Sequence, residues 1–228
     1  MSGLARKIFI ALLVSSSLAV VARADQGDYP IKADDGEIIA NHKISSDLEA
    51  RIEKLPNVVV AANPNGKVTL YEFYDLNCPY CRRASADIDT LVKSNANLRL
   101  VLVPFPVLGI PSILAARIEY AVVKLATPDQ FYKFHRLVYQ GRGVIDDKRA
   151  FEAAKQIGLD PQKVFDLANS ESFAGDMKQH LQLGDALGIQ ATPGLVIRGV
   201  SFVGYPGKKA LAGVVAAAQK CGQVMCGK

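Results

Sequence analysis

The residues able to do chemistry are four cysteines in two close pairs, Cys78/Cys81 and Cys221/Cys226. "PY" separates the first pair and "GQVM" the second. A close pair can clamp a metal, staple a loop or exchange two electrons, and its surroundings select among these. "NCPYC" follows the apolar run "VTLYEFY" and opens a helical pattern over residues 79 to 94, which puts Cys78 at a helix start. Pro79 is tolerated in that first turn, where its missing N–H would have no helical partner. Unpaired N–H groups and the helix dipole favour a thiolate there, so the Cys78 pKa is expected to lie below the free value. Cys81, one turn on, is placed to attack a mixed disulfide at Cys78.

Two further positions belong with this pair. Glu72 shares a strand face with Leu70 and Tyr74 in a run that otherwise buries every side chain. A buried carboxylate is costly unless something uses it, and one here is expected to have a raised pKa and to exchange the proton that Cys81 needs. The alternative is a Glu72 that reaches solvent at a sheet edge. Far along the chain, "ATPG" sets Thr192-Pro193 directly before a strand. A proline fits the start of a strand, cis in a tight turn or trans at the end of an ordinary loop. Cys221 and Cys226 read as a local disulfide that ties down the C-terminus. A second redox pair, or a zinc site of all four cysteines, are the competing readings. His42, His135 and His180 are scattered without metal-ligand spacing, and His135 sits in an aromatic stripe as a packed or surface residue.

The elements that position these residues follow from periodicity. "SDLEARIEKL", 46 to 55, reads as a short helix capped by Ser46 with Glu49 completing a capping box, and Leu48, Ile52 and Leu55 share one face. "KVTLYEFY" is a strand apolar on both faces, as in a central strand, and "LRLVLVPF" is its neighbour. With the helix at 79 to 94 between them, the two strands are expected to run parallel. From Ser112 to Gly188 the signals are helical: Thr127-Pro128-Asp129-Gln130 is a capping box, Asp146 or Asp147 starts one helix, and Asp160-Pro161 starts another. "GLVIRGVSFVG" suits a hairpin, and "ALAGVVAAAQK" a closing helix.

The N-terminus carries an export signal. Arg6 and Lys7 precede an apolar stretch of 14, residues 8 to 21, and "ARA" ends at 24, so residues 1 to 24 are expected to be a signal peptide cleaved before Asp25. The stretch is short of the roughly 20 residues that span a bilayer. The chain has 27 basic and 22 acidic residues; without Arg6, Lys7 and Arg23 the balance is 24 to 22. With no run of like charge and no basic patch with interleaved aromatics, nucleic acid is not an expected partner. Export to an oxidising compartment favours disulfide chemistry.

The order of signal peptide, "EFYDLNCPYC", helical insertion and "ATPG" before a hairpin and helix resembles the DsbA-like branch of the thioredoxin superfamily. "GKVTLYEFYDLNCPYC" and "VPFPVLGIPSILAARIEYA" are similar to its exported bacterial members, including the ScsC-like group. The resemblance covers roughly residues 46 to 220. It implies an α/β fold: a thioredoxin-like sheet interrupted by an inserted helical domain. The expected division is a signal peptide (1–24), an N-terminal mobile arm and short helix (25–65), a first thioredoxin-like part (66–110), a helical insertion (111–188) and a second thioredoxin-like part (189–228). It further implies that Cys78 is an exposed nucleophile, that Cys81 is buried, that Pro193 is cis and faces the cysteines, and that Glu72 relays the proton. Apolar residues around Cys78 and Pro193, Phe202 among them, would face an unfolded polypeptide. The expected activity is disulfide formation in exported proteins without a cofactor, with unfolded or misoxidised exported proteins as substrates and a membrane or periplasmic redox partner. Thr192 before the proline suits isomerases and reductases, so the same pair working in that direction is the alternative. A non-enzymatic copper or zinc module is the reading from another class.

Overall fold

A computed structural model describes residues 27–227. The expected signal peptide lies outside the described residues. Among them, no helix is long and apolar enough to cross a membrane.

The elements are β1 (Asn41–Lys43), α1 (Ser46–Ala50) with a 3₁₀ turn at Ile52–Lys54, β2 (Val59–Ala62), β3 (Val68–Tyr74), α2 (Pro79–Lys93), β4 (Leu98–Pro104), α3 (Ile110–Leu125), α4 (Pro128–Val138), α5 (Asp147–Gln156), α6 (Pro161–Ala168), α7 (Ser172–Ala186), β5 (Gly194–Ile197), β6 (Val200–Val203) and α8 (Lys208–Cys221). The sheet order is β1-β6-β5-β3-β4-β2. β3 runs parallel to β4, with α2 as the crossover, and antiparallel to β5. β3 is therefore central, and its two faces enter different cores. Leu70 and Tyr74 join one with the helices; Tyr71 and Phe73 join the other with Ile52, Val103 and Leu187.

α3, α4, α5 and α6 pack on one another as a bundle. The Thr127 capping box is present, and the Asp146 and Asp160 side chains cap α5 and α6. α7 joins the bundle to the sheet: Phe173 and Met177 pack with Ala116 and Tyr120 of α3, while Leu183 and Leu187 pack beneath the sheet. Gly184 is required there, because a Cβ would enter the Phe105 ring.

Two local expectations are corrected. Residues 27–45 are not a mobile arm. Asn41–Lys43 pairs antiparallel with β6, and the buried Asn41 side chain is bonded to Tyr29 and Ile39. Unpaired edge backbone on β6 makes that docking favourable, a consequence of the sheet that the polar composition of the segment does not reveal. The cap of α1 is Ser45, whose hydroxyl accepts from Leu48 N, rather than Ser46. Glu49 leaves the predicted capping box because its carboxylate instead accepts from Gly199 N in the β5–β6 turn.

Candidate active site

The reactive pair sits where β3 hands over to α2. Asp75 shapes that turn. Its carbonyl accepts from Cys78 N, and its carboxylate from Asn77 N (2.7 Å), Ser112 Oγ (2.7 Å) and the backbone N–H groups of Val107 and Leu108 (2.8 Å each). One carboxylate thus fixes the turn before Cys78, the loop after β4 and the start of α3. Cys78 is the N-cap of α2, with extended backbone (φ −72°, ψ 121°), and its Sγ accepts from Cys81 N at 3.4 Å. The sulfur occupies the place that a serine or aspartate oxygen usually takes at a helix start. From the loop that leads into β5, the strand beside β3, comes the Thr192 carbonyl, 3.1 Å from Cys78 Sγ, at a cis Thr192-Pro193 bond. Cys78 and Cys81 carry free thiols.

The two thiols differ sharply. The Cys81 thiol, then the Thr192 hydroxyl and the backbone N–H groups of Cys81 and Tyr80, lower the Cys78 pKa to about 6 against the effect of burial. Burial first, then the Cys78 sulfur and the charge of Glu72, push the Cys81 pKa far up. At neutral pH the pair is poised as a thiolate beside a thiol.

Glu72 lies in the sheet interior, paired with Leu102 of β4 and Leu195 of β5, and is not at an edge. It is 1% exposed, and neither carboxylate oxygen has a hydrogen-bond partner. Burial, then the Cys78 charge, raises its pKa to about 8, so it holds a proton at neutral pH. A second buried acid lies nearby: Glu119 of α3, also raised to about 8 by burial, accepts from Tyr74 OH at 2.7 Å. His135 is fully enclosed, edge-on to Tyr74 and Tyr139, and burial lowers its pKa to about 3, so the ring is neutral.

The helical bundle supplies the other wall. Asn77 exchanges two hydrogen bonds with the backbone of Ile145, and Tyr139 OH donates to Asp75 O. Arg82, next after Cys81, donates to Gly141 O (2.5 Å) and Gly143 O (3.3 Å). Arg149 of α5 donates to the carbonyls of Val138, Gln140, Gly141, Arg142 and Gly143. Arg149 thus shapes the loop 139–144 from within the bundle, and Arg82 ties that loop to the start of α2. The resulting groove, about 550 Å³, is lined by Asn77, Pro79, Arg82, Leu108, Pro111 and Val144.

The tertiary structure brings Cys78, Cys81, Glu72, Thr192 and Pro193 into one neighbourhood. Cys221 and Cys226 stand apart, bonded to each other at the end of α8, so their sulfurs are not available to a four-cysteine zinc site. Among the described residues, no cluster of three or more histidine, cysteine or acidic side chains could hold a metal ion. Two expectations are corrected. Cys78 is not exposed: it is 4% accessible, because its sulfur folds inward between Cys81 N and the Thr192 carbonyl. Phe202 faces no substrate surface; it is core beneath α8, 2% accessible. Asp75, Asn77 and Arg149 escaped sequence reasoning. "DLN" carries an Asx-turn signal for the first two. Arg149 has no local signal, since its partners are carbonyls 6 to 11 residues earlier.

A thioredoxin family model matches residues 54–216, most of the chain. The thiol:disulfide interchange protein DsbA of Burkholderia cepacia is 28% identical over 163 residues, 68% of this chain and 73% of that protein. A thioredoxin-like oxidoreductase from Silicibacter pomeroyi superposes with a TM-score of 0.68 at 30% identity, covering 78% of this chain and 99% of the other. A periplasmic thioredoxin-like protein from Salmonella enterica superposes with a TM-score of 0.67 at 26% identity, covering 76% and 97%. A thiolate at a helix start, a partner thiol one turn on and a threonine-proline carbonyl against the sulfur agree with these likenesses: the chain belongs to the thioredoxin family and is a DsbA-like thiol-disulfide oxidoreductase.

Proposed function

We propose that the protein forms disulfides in exported polypeptides through Cys78 and Cys81. A substrate thiolate attacks Cys78 Sγ of the oxidised pair. The Cys78–Cys81 bond breaks, a mixed disulfide forms at Cys78, and Cys81 leaves with the electron pair. Glu72, holding a proton at neutral pH, is the proton source for Cys81, directly or through one water. A second substrate thiolate then attacks the substrate sulfur of the mixed disulfide, closes the substrate disulfide and releases Cys78 as a thiolate. Two electrons end on the pair, and a membrane or periplasmic disulfide partner removes them. Thr192, whose carbonyl already faces Cys78, offers its backbone to an extended chain by strand addition. The Cys221–Cys226 disulfide is structural.

The single observation that carries the direction is the asymmetry of the pair. A Cys78 pKa near 6 stabilises the reduced form, and a stabilised reduced form makes its disulfide a better oxidant. The export signal and the periplasmic Salmonella relative support a periplasmic location for the mature chain. The alternative direction, isomerase or reductase, draws on the Thr192 hydroxyl: it stabilises the Cys78 thiolate and has no other partner among the described residues.

The test is the reduction potential of the pair against glutathione, paired with refolding of a reduced, unfolded disulfide protein. A potential near about −120 mV with net disulfide formation supports oxidation, and one near about −270 mV supports reduction. Stoichiometric metal retained by the reduced protein after purification, without exchange activity, would replace both readings with a metal-binding module.

A further inference from the structure

Several large apolar side chains are exposed along the loop after β4, the start of α3 and the bundle elements that face them. Val107, Leu108, Ile110, Leu114, Val144 and Phe165 are all large, apolar and exposed, and Phe165 is 58% accessible. They do not stop at the groove beside Cys78. A second cleft of about 330 Å³ lies within the bundle between α3, α5 and α6; Leu114, Ile118, Phe151 and Phe165 form its apolar lining, and Arg117 and Lys148 are among its polar residues.

The two clefts lie end to end. On α3, Pro111 lines the first, and Leu114 and Ile118 line the second. These positions are three and seven residues apart and share one helix face. Across the channel, Gly143 and Val144 line the first cleft, and Asp147 and Lys148, at the start of α5, line the second. The same two walls therefore run past both, with no secondary-structure element between them. From Pro111 to Ile118 the helix rises about 10 Å, the reach of about three extended residues.

We propose that the α3–α5–α6 cleft is a second docking site, for an apolar segment of the same extended polypeptide whose cysteine is at Cys78. This rests on the reading that the protein acts on polypeptides. A course that follows the same two walls past both clefts fits a single extended chain, whereas a second globular copy would need a broad matching face. The site favours substrates with an aromatic or large aliphatic side chain at a set distance from the reactive cysteine, a selectivity the cysteine turn alone cannot provide.

The test uses the full mature chain and two peptide sets. In the first, serine replaces the cysteine and a fluorophore reports binding by anisotropy, so no chemistry is needed. A phenylalanine is moved along the peptide up to about ten residues from that serine. Binding is expected to peak at one spacing, roughly tenfold tighter than for a short peptide confined to the first groove. Phe165→Ser or Leu114→Ser removes that gain and leaves short-peptide binding unchanged. Leu181→Ser, an exposed leucine on α7 outside both clefts, keeps the gain. The second set carries the cysteine, and KM for exchange should follow the same spacing. Binding that ignores spacing, or survives Phe165→Ser, overturns the proposal. So does light scattering that shows Phe165→Ser splitting a dimer, which would make the cleft a contact between copies. Spacing-dependent binding without any thiol exchange would uphold the cleft and overturn the oxidoreductase direction instead.

Discussion

The two cysteine pairs occupy opposite ends of helices. Cys78 and Cys81 sit at the start of α2, and Cys221 ends α8. At the start of α2, unpaired N–H groups meet a sulfur, and the Cys78 thiolate is favoured. At the end of α8, where the unpaired helix groups are carbonyls rather than N–H groups, the sulfurs of Cys221 and Cys226 are bonded to each other beside the Ala217 carbonyl. The first pair is enclosed beside Glu72, a buried acid that can carry a proton; the second is open to solvent at Cys221, and its loop presses Val224 into the core. Short cysteine spacing therefore says little by itself. The helix end, and whether its N–H groups reach the sulfur, separate an exchanging pair from a staple.

The largest effect expected from this contrast is at Cys78. Cys78→Ser should abolish disulfide exchange while leaving the fold intact, since serine is itself a favoured N-cap. Alkylation of the wild-type protein should follow a Cys78 midpoint of about pH 6, with Cys81 unreactive through neutral pH. Equal rates for the two thiols would erase the distinction. The sign follows from linkage. A depressed thiol pKa stabilises the folded, reduced protein above the ordinary value, and that advantage is lost as pH falls through about 6.

Glu72→Gln should slow turnover on the order of 100-fold, because an amide cannot relay the Cys81 proton. It should also change stability with pH in a defined direction. A carboxyl held near 8 keeps its proton in the folded chain, while the unfolded chain loses it near 4.5, so stability falls as pH rises between those values. Glutamine should flatten part of that fall, with Glu119 responsible for another part. Denaturant midpoints across this range decide the matter: an unchanged slope in the variant would remove the buried-acid account.

Arg149→Met should have a smaller effect. Loop 139–144 would lose most of its side-chain hydrogen bonds, and KM for a peptide substrate should rise about threefold to tenfold, by analogy with other lost charged hydrogen bonds. The pair's reduction potential should not move, because none of the groups that set the Cys78 pKa lies on this loop. A shifted potential would instead place the loop in the electrostatics of the site. The smallest effect on exchange belongs to the double variant Cys221→Ser/Cys226→Ser. Its activity should match wild type, with a stability loss of roughly 2 kcal/mol for so short a loop. A loss of exchange activity would turn the staple into a second redox couple.

Much of the fold is written in local pattern. The apolar period of "VTLYEFY" gives a central strand with two buried faces. Thr127, Asp146 and Asp160 announce helix starts, and Pro79 follows Cys78 at the start of α2. These features depend on neighbours within a few residues, which is why they can be read from the chain. The location of Glu72 is half legible: its face follows from the strand period, but its lack of any partner depends on what covers the strand.

What the sequence alone determined, then, is the set of elements and the chemistry available to each: a thiolate-favouring helix start, an acid on a buried face and a proline opening a strand. Their meeting was decided by tertiary structure. The Cys78–Thr192 contact joins residues 114 apart, and the antiparallel pairing of β3 with β5 is what carries the threonine to the sulfur. That contact also closes over Cys78 and buries it, contrary to the exposure that the family resemblance implies. Residues 27–45 show the same division, because a polar segment with no period becomes ordered only where β6 offers an unpaired edge. Local propensity is a property of adjacent residues, whereas burial and hydrogen-bond partners belong to whatever the fold brings alongside them.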